Sequence, residues 1–201
     1  MDPEEVANPA ASGESRRRQL LEAALAVFAR HGYRKTSMDD VAQAAGVSRQ
    51  GLYLHFPNKE EVFRTAVQHA LRRSQLKVSQ ALAEPGASLE NRLVEAFDAW
   101  TGQFVEAVGA DVDDLVSACR TLLGPAVEQE KQAFSEKIAG ALADSGLAAR
   151  YCRAGLSAAD LAATLCATAD GLKAALSTRR AFVHGIRIAI RALCVPLGAD
   201  E

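Results

Sequence analysis

No apolar run in this 201-residue chain reaches the roughly 18 residues that a membrane-spanning helix needs. The N-terminal stretch MDPEEVANPAASGES holds no apolar signal core. These absences predict a cytoplasmic protein with no membrane partner. Aromatic residues make up only 5% of the chain against 49% hydrophobic residues, and an interior built mainly of alanine and leucine favours helix over strand. The four cysteines, Cys119, Cys152, Cys166 and Cys194, have none of the close spacings of a zinc site or redox dithiol. They read as free, buried thiols, and nothing beyond their presence supports a redox sensor. His31, His55, His69 and His184 stand without a carboxylate or nucleophile at useful spacing, and no phosphate-binding glycine loop occurs. The sequence therefore predicts no enzyme and no cofactor. Asp111, Asp113 and Asp114 cluster before a helix, where acidic residues ordinarily complement the dipole; no metal site is assigned.

What is present is asymmetric. Residues 14–77 carry 12 Lys and Arg against 6 Asp and Glu, whereas residues 78–201 carry 11 against 16. A basic segment joined to an acidic remainder suggests a nucleic-acid-facing module attached to something else. Residues 1–13 read as a disordered tail. Leu21, Ala24, Leu25 and Phe28 then form one apolar stripe of a helix that ends at His31-Gly32. Ser37 and Asp40 make a capping signal for a two-turn helix whose inner face is Met38, Val41, Ala42 and Ala45. Gly46 stops it, and Ser48 caps a third helix that turns Leu52 and Phe56 inward. Pro57 ends that helix, and Asn58 caps a fourth, predicted from Lys59 to about Ala83.

Two short helices joined by a tight glycine turn have the geometry of a helix-turn-helix. Ala42 supplies the small residue where they cross, Gly46 the positive φ and Leu52 the anchor. The outer face of the third helix then carries Ser48, Arg49, Gln50 and Gly51 in its first turn, where a recognition helix enters the major groove. Arginine can grip guanine O6 and N7 with two bonds, and glutamine can do the same to adenine N6 and N7. Tyr53, His55 and Lys59 are predicted to meet phosphates, as are Thr36 and its neighbours Arg34 and Lys35. Each residue singly has an ordinary surface or core reading; the spacing of the set reverses it.

The stretch TSMDDVAQAAGVSRQGLYLHFPNKEEVF, residues 36–63, resembles the DNA-binding signature of TetR-family transcriptional regulators. LLEAALAVFARHGYRKTS before it resembles that family's first helix and link. The resemblance covers roughly residues 16–65. It implies a homodimer on a palindromic double-stranded DNA operator, normally repressing until a small molecule binds the C-terminal domain. It also implies phosphate contacts for Ser37, Ser48, Tyr53, His55 and Lys59, and base contacts for Arg49, Gln50 and Gly51.

The acidic half reads as helices too. Leu93, Phe97, Trp100 and Phe104 form one stripe. Leu115, Cys119 and Leu122 form another, stopped by Gly124-Pro125. Val127, Phe134, Ile138 and Leu142 follow in a longer segment ending near Ser145-Gly146. Two last helices, 157–177 and 179–196, alternate small and large apolar residues. Ala158, Ala159, Ala162, Ala163, Ala167 and Ala169 would let a partner helix approach, which predicts a homodimer through these helices. Phe97, Trp100, Phe104, Cys119, Leu122 and Phe134 are the candidate walls of a cavity for an unknown, largely apolar effector. The fold class is thus all-α, in about nine helices. A helix-turn-helix domain over 14–58 is joined by the fourth helix to a ligand-binding and dimerisation domain over 59–201. A DNA-binding regulator without an effector, or an activator, is the alternative.

Overall fold

The computed structural model describes residues 9–105 and 112–195. Among them are nine α-helices and no strand: α1 (Pro9–His31), α2 (Met38–Ala44), α3 (Arg49–His55), α4 (Lys59–Leu82), α5 (Leu89–Trp100), α6 (Val112–Asp144), α7 (Leu147–Tyr151), α8 (Ala158–Ala175) and α9 (Arg179–Cys194). They form two compact units. One lies within Met1–Ala70 and Val108–Gly124, the other within Leu71–Ala107 and Pro125–Glu201, so two of the three divisions fall inside α4 and α6. The expected tail covers only part of its stretch. α1 already begins at Pro9, a residue suited to a first helical position because its missing N–H has no partner there anyway. Residues 1–8 and Asp111 lie outside the described residues.

In the first unit, α1 to α3 and the start of α4 enclose a core of Leu21, Ala24, Phe28, Val41, Leu52, Phe56 and Phe63. Helices of seven residues, such as α2 and α3, are too short to persist alone. Local chemistry and burial hold them. Ser37 and Asp40 form a complete capping box at the start of α2. Gly46 takes φ 66°, which lets Val47 N–H reach the Ala42 carbonyl at 3.0 Å and Gly46 N–H the Gln43 carbonyl at 3.2 Å. These are the paired bonds of a Schellman turn. Ser48 Oγ accepts from Gly51 N–H at 3.0 Å to start α3. Phe56, held extended by the following proline, ends it.

In the second unit the core gathers Val78, Leu93, Phe97, Phe134, Ile138, Leu161, Leu165, Phe182 and Ile186 from α4, α5, α6, α8 and α9. Ser88, Ser157 and Thr178 cap α5, α8 and α9. Lys137 on α6 donates to Gln75 Oε1 at 2.7 Å and Ser79 Oγ at 2.9 Å, clipping α6 to α4. Glu90 on α5 accepts from both Arg187 and Arg191 on α9.

Two elements differ from the sequence-based reading. α6 runs unbroken through Gly124-Pro125. The proline removes one backbone bond, to the Thr121 carbonyl, but Thr121 and Pro125 are both exposed, so water can satisfy the orphaned group. α5, by contrast, ends at Trp100, and Phe104 belongs to a 3₁₀ turn, Gly102–Phe104. Gly102 is buried where a Cβ would collide with the Asp98 carboxylate and crowd Phe182 at 3.1 Å. Close packing there, with a weak helix former in the chain, outweighs the continuing apolar stripe.

The hydrogen bonds from Ser37 to Asp40 and from Ser157 to Asp160, and the Arg191 pair at Glu90, hold these three carboxyls below their usual range. A carboxyl lowered in the folded state stabilises above its unfolded pKa and loses that contribution as pH falls through the folded value. Stability is therefore expected to be held above about pH 4.5 and to decline on acidification. Chemical denaturation across pH should give a flatter acid limb for Glu90→Gln and Asp40→Asn than for wild type.

Candidate nucleic-acid interface and effector cavity

The exposed face of α3 carries Arg49, Gln50, Tyr53, Leu54 and His55, while Leu52 is fully buried beneath it. Helical spacing sets Arg49 one turn from Tyr53 and Gln50 one turn from Leu54. Arg49 Nη1 meets Asp39 Oδ2 of α2 at 2.7 Å, and its guanidinium lies 5.7 Å from the Tyr53 ring centroid. Asp39 carries no part in the sequence-based assignments, because the pairing joins residues ten apart across the turn. Leu54, 81% exposed, is likewise absent from them. Gly51 has a reason of its own to be glycine: a Cβ would stand 3.1 Å from the Ser48 Oγ that caps the helix. Ser37 and Ser48 are exposed caps with their Oγ atoms beside the helix N-termini.

Two predicted phosphate-facing residues are turned inward. Thr36 is 2% exposed and its hydroxyl donates to the Gly32 carbonyl at 2.7 Å. It closes the link between α1 and α2 instead of facing outward, because a buried hydroxyl must find an acceptor. Lys59 donates to the Tyr33 and Arg34 carbonyls at 2.9 and 3.2 Å and lies 4.6 Å from the Tyr33 ring centroid. Two of its three N–H groups are thereby occupied, leaving one for another acceptor. Tyr33 itself packs on Phe28 and Phe63, and burial raises its hydroxyl pKa. Arg34 gives its backbone N–H to Asp114 at 2.7 Å and its side chain to the same carboxylate at 3.3 Å. Asp114 therefore serves as an ion-pair partner in the first turn of α6, and among the described residues no cluster of three potential metal ligands forms.

The second unit contains a cavity of about 440 Å³ lined by Phe97, Trp100, Phe104 and Phe134, together with Leu71, Thr101 and Val127. That volume lies in the range of small-molecule sites. Trp100 stacks on Phe134 with centroids 5.0 Å apart and planes at 12°. Phe97 meets Phe134 edge-on at 5.1 Å. Cys119 and Leu122 do not line it; they sit on the part of α6 that belongs to the first unit. Sequence periodicity could not find the polar wall: Glu128, Lys131, Gln132 and Ser135 of α6, and Cys166, Asp170 and Lys173 of α8. Their periodicity is that of ordinary surface residues. Burial pushes the Cys166 thiol up despite a hydrogen bond with Ser135, so it is protonated and weakly nucleophilic at neutral pH. All four cysteines are free, but none is fully buried as expected: Cys152 is exposed, and Cys119, Cys166 and Cys194 are half-buried at the edges of their helices' packed faces.

Residues 20–66 match the model for bacterial regulatory proteins of the tetR family, the same residues that build the capped turn and its exposed helix. Over those residues the chain is similar to the tetR family. A transcriptional repressor of Mycobacterium tuberculosis, KstR2, is 50% identical over 48 residues, 24% of each chain. A transcriptional activator of Mycolicibacterium smegmatis, FasR, is 42% identical over 69 residues, 34% of this chain and 32% of its own. The chain thus matches these two relatives over a third of their length or less. Over nearly all its length it shares a fold with the fatty acid degradation regulator FadR of Bacillus halodurans. That match has TM-score 0.66 and 20% identity over 91% of this chain and 96% of the other. No helix among the described residues is long and apolar enough to cross a membrane.

Lys59→Met should remove the ammonium that ties α4 to the α1–α2 link. Loss of two charge-assisted hydrogen bonds and a cation–π contact is expected to cost about 1–3 kcal/mol. Thermal denaturation should show a lower Tm even without DNA; an unchanged Tm would remove this structural role.

Proposed function

We propose that this chain is a homodimeric, DNA-binding transcriptional repressor that recognises a palindromic operator and is released by a small-molecule effector. The observation that carries the reading is the outward face of α3. A helix fixed by a glycine turn and the Ser48 cap presents Arg49, Gln50 and Tyr53 in the open. Arg49 and Gln50 read base edges in the major groove, where Gly51 lets the backbone approach. Ser37, Ser48, Tyr53 and His55 take the flanking phosphates, with the remaining Lys59 N–H as a further donor. Residues 14–58 are the reading domain, and residues 59–201 hold the effector and the dimer contact.

For the dimer, α8 divides its alanines. Ala162 and Ala169 enter the unit's own core and Ala163 lines the cavity, whereas Ala159 and Ala167 stay exposed. On α9, Ile188 is 57% exposed. Exposed small residues on α8 and an exposed isoleucine on α9 suit a second copy packed through the last two helices, as a four-helix arrangement. The effector is a largely apolar small molecule with a polar end, since aromatic walls face Lys131, Lys173, Glu128 and Asp170 across the same cavity. α4 and α6 each contribute to both units. A ligand preferring one cavity shape would change the separation of two recognition helices, which must sit roughly 34–36 Å apart to enter successive major grooves. Activation is the second reading, favoured by the match to the FasR activator over 34% of this chain.

Selection of genomic fragments by the purified protein tests the reading and should return a two-fold symmetric sequence; recovery of no preferred sequence would sink it. Arg49→Ala and Gln50→Ala are each expected to weaken binding to the selected operator by about 5- to 150-fold, the range of one bidentate base contact. Trp100 is the single tryptophan and stands in the cavity wall, so its intrinsic emission should change when an effector binds. The same compound should raise Tm and lower operator affinity, and Trp100→Phe should abolish the optical signal. A compound that alters DNA binding without moving Trp100 emission would exclude this cavity as its site.

A further inference from the structure

Asp39 has no part in the base or phosphate contacts proposed above, yet it holds the residue best placed to read a base. Its carboxylate on α2 stands 2.7 Å from Arg49 Nη1, and Tyr53 flanks the guanidinium from the next turn of α3. All three side chains are open to solvent, Asp39 at 58% and Arg49 at 61%. Asp39 is exposed in the first turn of α2, so neither packing nor its place in the helix demands this partner. An arginine on an exposed helix otherwise samples many rotamers, and ordering it on DNA costs that freedom. The guanidinium is a planar fork of five N–H groups. A carboxylate on Nη1 with a ring beside it restricts the fork while leaving further donors. The same carboxylate cancels the charge that Arg49 would offer to a phosphate and itself repels the DNA backbone.

We infer that Asp39 is a positioning residue that commits Arg49 to a base edge and away from the phosphates, lowering overall DNA affinity while raising sequence discrimination. The inference rests on the DNA-binding reading above. A purely structural role for Asp39 would weaken binding to all duplexes alike. A positioning role moves affinity and discrimination in opposite directions.

The experiment uses full-length wild type, Asp39→Ala, Asp39→Asn, Arg49→Ala and the Asp39→Ala/Arg49→Ala double variant. Each is titrated against the selected operator, the operator altered at the base pair that Arg49→Ala identifies, and an unrelated duplex, over a range of salt. Asp39→Ala is expected to bind the unrelated duplex more tightly, with a salt slope steeper by about one. Its preference for the operator over the altered site should fall by about three- to tenfold, part of the roughly 5- to 150-fold that a bidentate contact supplies. In the Arg49→Ala background the Asp39→Ala change should leave that preference untouched. Asp39→Asn keeps the shape without the charge and should reproduce the steeper slope even if Asp39→Ala folds poorly. An unchanged preference and slope, an equal loss on every duplex, or the same loss of preference without Arg49 would overturn the inference while leaving DNA binding standing. A wild-type chain that selects no sequence overturns both.

Discussion

The hydrogen bond from Val47 N–H back to the Ala42 carbonyl, possible because Gly46 sits at φ 66°, constrains everything around it. It sets the angle at which α3 leaves α2, and with it which side of α3 can be buried. Once Leu52 is buried along with Val41 and Ala42, helical spacing leaves Arg49, Gln50, Tyr53 and Leu54 outside. A residue with a Cβ at position 46 would strain that left-handed turn. Two seven-residue helices have little stability of their own to absorb such strain.

Polar residues around this turn divide by where their hydrogen bonds go. Thr36 and Lys59 have the chemistry of phosphate ligands, yet they donate to the carbonyls of Gly32, Tyr33 and Arg34. A link of backbone between two helices leaves carbonyls needing donors, and residues predicted to face DNA supply them. Ser37 and Ser48 keep their hydroxyls at exposed helix starts, where capping and an anion contact use the same edge of the helix. Residue type alone does not separate these cases, since a threonine and a serine one position apart point to opposite sides.

In the second unit, core and cavity share side chains. Phe97 and Phe134 are fully packed on one side and line the cavity on the other, so the aromatic stripe serves both at once. The alanines of α8 show the same division: helical spacing sends Ala162 and Ala169 inward and Ala159 and Ala167 outward, with Ala163 at the cavity. Small residues on both faces are what a helix needs when it packs on its own unit and also offers a surface to another.

Local chemistry was readable residue by residue. The Ser37–Asp40 box, the Gly46 turn, the Ser48 cap and the stop at Pro57 all depend on groups within about five positions, so the order of residues suffices to determine them. Tertiary structure decided what depends on distant neighbours. It carried α6 through Pro125, because a helix interior held by packing survives one missing bond. It ended α5 early, where Asp98 and Phe182 close on Gly102. It also brought Asp39 against Arg49 and gathered α4, α5, α6 and α8 around one cavity. Periodicity marks which face of a helix is buried, but the partner that meets that face is set by packing across the whole unit.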